Sequence, residues 1–249
     1  MAGHSQFANI KHRKGAQDAK KAKIFTKLLR EITVAAKTGQ IDPNFNPRLR
    51  NALIEARTRN MPKDRIDAAI KKASGEVGGD NFEEIRYEGY GPNGIAIIVE
   101  ALTDNRNRTA SEVRSIFTKF GGALGETGSV GFMFDHVGVI QFDGKIASEE
   151  NMFEAALEAG ADDVESSADL HVIISPTEKF SVVRDALIEK FKADPSSAKL
   201  DWKAKVVNEI TDLEQAQKLL KMVDALEDCD DVQNVTGNYS FAEEIAQKL

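Results

Sequence analysis

Two polar clusters in this sequence have residue types and spacing that could do chemistry. The first holds Lys11, Arg13, Lys14, Lys20, Lys21, Lys23, Lys27 and Arg30, eight cations opposed only by Asp18 and Glu31. Such density fits contact with a phosphate backbone, where each cation that neutralises a phosphate releases a condensed counterion. The second is Asp104-Asn105-Arg106-Asn107-Arg108, which places Arg106 and Arg108 between an expected strand end and a helix start whose free amides favour an anion. Arg–Asp pairs that merely pack the loop fit the same residues.

The remaining reactive residue types are arranged against catalysis. His4, His12, His136 and His171 show no metal-ligand spacing. The single cysteine, Cys229, lies among Asp228, Asp230 and Asp231, whose negative charge should raise its pKa and oppose nucleophilic use. Gly121, Gly122, Gly125, Gly128 and Gly131 have the density of a phosphate loop, but the Gly-Lys-Ser/Thr ending is missing and the segment leads into an expected strand. The run from Gly89 to Gly94 reads as a turn between two strands. Asp162/Asp163 and Asp230/Asp231 could seed a metal-dependent nuclease, a distant alternative, yet they fall in polar turns after helices. No catalytic residue, metal, cofactor or small-molecule substrate is expected.

Charge is divided along the chain. The net value of −7 over 249 residues conceals 17 Lys and Arg against 6 Asp and Glu in residues 1–75, a net of +11. Residues 76–249 hold 16 against 34, a net of −18. A basic module joined to an acidic body fits the electrostatic footprint of polyanion binding in which the body discourages non-specific wrapping, and a solvated basic helix face fits the same counts. One Cys points to a reducing compartment, and the longest apolar run is far below the roughly 20 residues that span a bilayer. A cytoplasmic protein without a membrane partner is expected.

The elements that must position these clusters follow from periodicity. Phe25, Leu28, Leu29, Ile32, Ala35 and Ala36 predict a helix from Gln17 that stops at Gly39. Asn46-Pro47 opens a second helix, and Pro62 opens a third that ends at Gly75, so 17–75 reads as a helical bundle after a flexible basic tail at 1–16. A Gly-rich hinge follows to Asn81. Beyond it, strands are expected at Ile95–Leu102, Val130–Phe134, Val137–Phe142, Leu170–Ser175, around Lys205–Ile210 and near Val232–Tyr239. Helices are expected at Ala110–Phe120, behind a Thr109/Glu112 capping box, at Ser148–Ala159, at Thr177–Phe191 and after a Thr211/Glu214 capping box. The fold class is α+β: a three-helix bundle, then two ferredoxin-like split βαβ domains. The expected boundaries are a discontinuous domain of 82–135 plus 206–249, with the other domain, 137–205, inserted.

Three stretches carry a family resemblance: GHSQFANIKHRK from Gly3, NPRLRNALIEARTRNMPKDRIDAAIKKASG from Asn46, and the segment Tyr87–Phe134. They closely resemble the YebC/PmpR family of bacterial proteins and its mitochondrial relatives, which include translational activators of cytochrome oxidase synthesis. The resemblance covers most of the chain and is densest from Gly3 to Phe134. It implies a helical N-terminal domain, two αβ domains, and no enzyme activity. It also implies nucleic-acid work, since members are usually described as DNA-binding transcriptional regulators and others are similar to translation factors acting on ribosomes. This chain departs in having Gln6-Phe7 where many members carry Lys-Trp, and Lys21-Ala22-Lys23 where Arg-Gly-Lys is common. Phe7 still offers a ring on which a base can stack. The expected function is a DNA-binding transcriptional regulator, with a ribosome-associated translation factor bound to rRNA or mRNA as the alternative.

Overall fold

A computed structural model of the chain describes residues 17–74 and 81–249, with side chains in the first helix from Lys21 onward. The expected tail at 1–16 and all of the expected hinge except Asn81 lie outside these residues. By backbone packing, 17–30, 81–135 and 203–249 form one compact unit, and 31–74 with 136–202 form another.

α1 (Gln17–Thr38) buries Phe25, Leu28, Ile32, Ala35 and Ala36 on one stripe. α2 (Pro47–Thr58) starts where Pro47 supplies a preset φ and the Asn46 side chain accepts from the Leu49 amide at 3.0 Å. Asn46 is itself buried and donates to the carbonyls of Ala35 and Gln40, both at 2.7 Å, which fixes the path from one helix to the next. α3 (Lys63–Ala73) follows Pro62 with no side-chain cap and buries Ile66 and Ala69.

β1 (Glu83–Tyr90) and β2 (Ala96–Thr103) form an antiparallel hairpin in which Tyr90 pairs with Ala96. Asn93 and Gly94 close it with φ of +58° and +73°, the mirror-image turn whose twist matches the strands. α4 (Arg106–Lys119) leads to β3 (Ala123–Leu124), which pairs with β1. Next come β4 (Phe134–Asp143), α5 (Glu149–Ala159), β5 (Asp163–Ser166), β6 (Leu170–Pro176), α6 (Phe180–Phe191) and β7 (Ser197–Ala204). Their sheet order, β5-β6-β4-β7, is the ferredoxin-like split βαβ arrangement. Ile140, Phe142 and Ile173 from that sheet pack on Met152, Ala156, Val183 and Leu187 from its helices.

The chain then returns through β8 (Asn208–Ile210), α7 (Leu213–Glu227), β9 (Val232–Gly237), β10 (Tyr239–Phe241) and α8 (Glu243–Ala246). β9 pairs antiparallel with β2, so the sheet order is β3-β1-β2-β9. Val113 and Phe117 of α4 and Leu219, Met222 and Val223 of α7 pack on Ile97 and Val99 of β2. Among the described residues no helix is long and apolar enough to cross a membrane.

Three local expectations are corrected. α4 starts at Arg106, capped by Asn105, whose side chain accepts from the Arg108 amide at 3.1 Å; Thr109 lies inside the helix with its hydroxyl turned to buried oxygens. α7 is capped by Asp212 instead of Thr211, because the carboxylate reaches the Gln215 amide at 2.8 Å. Val130–Phe134 is not a strand. The Glu88 carboxylate takes the amides of Val130 and Gly131 at 2.9 and 2.7 Å, and residues Gly131–Met133 turn into a short 3-10 helix. The glycine-rich stretch is packing: a Cβ on Gly122 would stand 2.4 Å from the Tyr90 carbonyl oxygen. β3, β5, β7 and β10 beyond Tyr239 lie outside the strands expected from the sequence.

Candidate nucleic-acid interface

Lys23, Lys27 and Arg30 occur at i, i+4 and i+7 and therefore share one face of α1. That face lies against the C-terminal end of α7. Lys23 donates to the Asp228 carboxylate at 2.9 Å and to its carbonyl at 3.1 Å. Lys27 donates to the Glu227 carbonyl at 2.6 Å. Arg30 donates to the carbonyls of Asp230 and Leu102 at 2.8 and 3.0 Å and to Asp231 Oδ1 at 2.8 Å, with its guanidinium 4.9 Å from the Phe82 ring centre. Cations at the last carbonyls of a helix complement the negative end of its dipole; Lys23 and Lys27 do so at Asp228 and Glu227, while Arg30 satisfies acceptors in the turn after α7 and at Leu102 of β2. Burial pulls the Lys27 ammonium below its usual range, opposed in part by Glu227.

Lys21 is exposed and lies 5.8 Å from the Phe25 ring centre. Phe7, Lys11, Arg13 and Lys14 lie outside the described residues, and of Lys20 only its place in α1 is described.

The Arg106/Arg108 loop receives an anion from inside the protein. Asp231, buried to 5% side-chain exposure, accepts at Oδ2 from Thr103 (3.0 Å), Thr109 (2.6 Å) and Arg108 (2.8 Å). Burial pushes its carboxyl upward, but these donors outweigh that and hold it below the usual carboxylate range. Arg108 also bonds Asp104 at 2.7 Å, so the packed Arg–Asp arrangement is the one present. Arg106 remains 69% exposed, with Glu83 at 3.6 Å. An open cleft of about 620 Å³ is lined by Lys23, Arg30 and Arg108 and by Asp228, Asp230 and Asp231.

Sequence reasoning missed two groups. Glu88, fully buried on β1, clamps the glycine-rich loop and pairs with Arg86 at 2.9 Å. Burial raises its carboxyl, while the amides of Val130, Gly128 and Gly131 and the Arg86 charge bring the net shift below the usual range. Its signal, one acidic residue in a strand before a Gly-rich segment, is too common to interpret. The other group is Arg57, Lys63 and Arg65 at the α2–α3 corner, all exposed. Their charges stand in the sequence, but that they have no side-chain partner among the described residues is visible only in three dimensions.

Among the described residues no three His, Cys, Asp or Glu side chains could hold a metal ion. Burial, ahead of a hydrogen bond with Glu112, pushes the Cys229 thiol up to about 12, so the expected direction holds with burial as its larger cause. His171 is buried with Nδ1 2.7 Å from Ser166 Oγ and Nε2 within 3.2 Å of the Gly144 and Ala147 carbonyls, which engages both ring nitrogens.

Comparison with known proteins supplies what geometry alone does not. Residues 5–76 match the family model described as TACO1/YebC protein N-terminal domain, and residues 82–239 match TACO1/YebC second and third domain. A probable transcriptional regulatory protein of Rickettsia bellii is 57% identical over 249 residues, covering 100% of this chain and 97% of its own length. One from Rickettsia akari is 57% identical over 246 residues, covering 98% and 97%. The crystal structure of a conserved hypothetical protein from Aquifex aeolicus matches with a TM-score of 0.86 at 47% identity, covering 95% of this chain and 97% of that one.

Proposed function

The chain belongs to the TACO1/YebC family, and on that footing we propose that it is a regulator that binds nucleic acid, DNA in the first instance, through its basic N-terminal module. The observation that carries this is the charge division, +11 in residues 1–75 against −18 in the remainder. A net positive module beside an acidic body concentrates polyanion contact in one region. The names of the relatives, probable transcriptional regulatory proteins, support a regulatory role in transcription.

One observation favours a second reading, recognition of structured RNA on a ribosome. α3, with the sequence KDRIDAAIKKA, carries no Asn or Gln, so the last helix of the module lacks the side chains that read adenine edges in a major groove. Its Arg65 and lysines can meet guanine edges but serve phosphate equally, and rRNA offers phosphate as readily as DNA.

The test is fluorescence anisotropy of the full-length protein with labelled duplex DNA and structured RNA over a range of salt. If about half of the eight cations of the tail and α1 touch phosphate, the log–log slope is about −3 to −4. A slope near zero on every nucleic acid refutes the proposal.

A further inference from the structure

The proposed function assigns phosphate contact to the N-terminal module as a whole; the structure separates its cations into engaged and open ones. On α1, Lys23, Lys27 and Arg30 already hold acceptors at the end of α7. At the α2–α3 corner the situation is reversed. Residues 57–65 contain Arg57, Arg59, Lys63 and Arg65 against Asp64 alone, and all five are exposed. Arg59 stands 3.7 Å from Glu55, a loose pair at the surface. Among the described residues Arg57, Lys63 and Arg65 make no side-chain hydrogen bond or ion pair.

The corner that carries them is rigid. Met61 is buried at 6% exposure and its amide donates to the Ala56 carbonyl at 2.9 Å. The Asn60 amide donates to Arg57 at 2.8 Å, with Asn60 in the left-handed region at φ +56°. Ala56 and Ile66 are buried on either side, and Thr58 Oγ1 donates to the Ile54 carbonyl at 3.0 Å. A fixed backbone under three unpartnered cations lowers the ordering cost of binding, because only side chains remain to be immobilised. The uncapped first turn of α3 adds partial positive charge of the same sign.

We infer that the α2–α3 corner, with Arg57, Lys63 and Arg65 at its centre, is a phosphate-backbone contact surface of the module. This deepens the proposed function and rests on it.

The experiment uses the full-length protein and the same labelled duplex DNA and structured RNA. Replacing Arg57, Lys63 and Arg65 together with Ala is expected to lower the magnitude of the salt slope by about 2.7 on DNA, at about 0.9 per contact. Taking the curves to meet near ~1 M salt, affinity at ~0.1 M falls on the order of 500-fold, or roughly 60-fold if two of the three touch phosphate. Replacing Lys119, Lys218 and Lys221, exposed cations of α4 and α7, removes the same charge elsewhere and is expected to leave the slope unchanged. The charge-retaining pair Arg57→Lys and Arg65→Lys is expected to keep the wild-type slope, and thermal melts confirm that each variant folds. If wild type binds with a steep slope and the corner variant keeps it, or both triple variants lose it equally, the corner assignment is overturned while nucleic-acid binding stands. If wild type binds neither nucleic acid, the functional proposal falls and takes the corner with it.

Discussion

Replacing Asp231 with Asn is the most informative single change to the fold around α1. Its carboxylate receives four hydrogen bonds, from Thr103, Thr109, Arg108 and Arg30, at 2.6 to 3.0 Å. The two hydroxyls can rotate and accept from the new amide, whereas neither guanidinium can accept. The cost therefore falls on the two arginines. Arg108 is 51% exposed and keeps Asp104, so it turns toward water at small loss. Arg30 is only 15% exposed and keeps two carbonyls but loses its counter-charge.

Removing one partner of a buried pair costs about 3–5 kcal/mol, and the remaining acceptors of Arg30 bring the expected loss to about 2–3 kcal/mol. At roughly 2–4 °C per kcal/mol for a chain of this size, Tm falls by roughly 4–12 °C, read by circular dichroism near neutral pH. The pH dependence has a definite sign. Because the folded carboxyl titrates below its unfolded value, its contribution is complete above about pH 4 and disappears as pH falls through the depressed folded value. The gap between wild type and variant should thus be constant from about pH 7 to 5 and close in acid. A Tm within about 1 °C of wild type near neutral pH, or a gap that widens on acidification, refutes the assigned role of Asp231.

Four further outcomes are expected. Glu88→Ala leaves the buried amides of Val130 and Gly131 without an acceptor, which costs about 2–4 kcal/mol and removes their hydrogen-exchange protection; protection equal to wild type counts against the clamp. Lys23→Ala breaks a surface pair with Asp228 and changes stability by less than about 1 kcal/mol, and because Lys23 is already engaged it leaves the slope of nucleic-acid binding unchanged, so a slope reduced by about one contact contradicts that assignment. Residues 137–205 expressed alone are expected to give dispersed amide spectra, while 82–135 alone are not, since β9 and α7 complete that sheet and its core; dispersed peaks from 82–135 refute the discontinuous domain. In sucrose gradients of cell lysate near physiological salt, co-migration with ribosomal particles that the Arg57/Lys63/Arg65 variant loses favours the RNA reading, and a light-fraction protein with promoter binding that survives competitor DNA excludes it.

The helices were the most legible part of the fold, because their signals are local. The 3.6-residue stripe of α1, the Asn46-Pro47 start of α2 and the Ser148–Gly160 bounds of α5 appear where spacing and caps place them. Both misplaced caps share a cause. Thr109 and Thr211 satisfy a capping pattern, yet Asn105 and Asp212 cap α4 and α7, and a Thr–x–x–Glu spacing cannot register that competition. β7, with the sequence SAKLDWKA, does carry a strand signal, Ala198, Leu200, Trp202 and Ala204 alternating with Lys199, Asp201 and Lys203, but its burial does not follow that alternation: Asp201 is buried beside Lys199 while Leu200 is exposed. The stretch 130–134 shows the converse: a β-rich composition loses to one buried carboxylate that claims two of its amides.

The site was legible as a total and not as a distribution. Charge counting locates a basic module without contact information, because net charge is a sum over residues. It cannot tell a cation facing solvent from one facing a carbonyl. The partners of Lys23, Lys27 and Arg30 lie some 200 residues away in sequence, at Glu227 to Asp231, and only the return of α7 and β9 beside β2 brings them to α1. That return supplies acidic side chains and helix-end carbonyls to the densest basic stretch the structure describes. The same element that completes the sheet therefore occupies part of the surface that composition would assign to phosphate. For an external polyanion the cations that count are those whose charge is not already matched, and among the described residues of the module these include Lys21 on α1 as well as Arg57, Lys63 and Arg65 on α2 and α3.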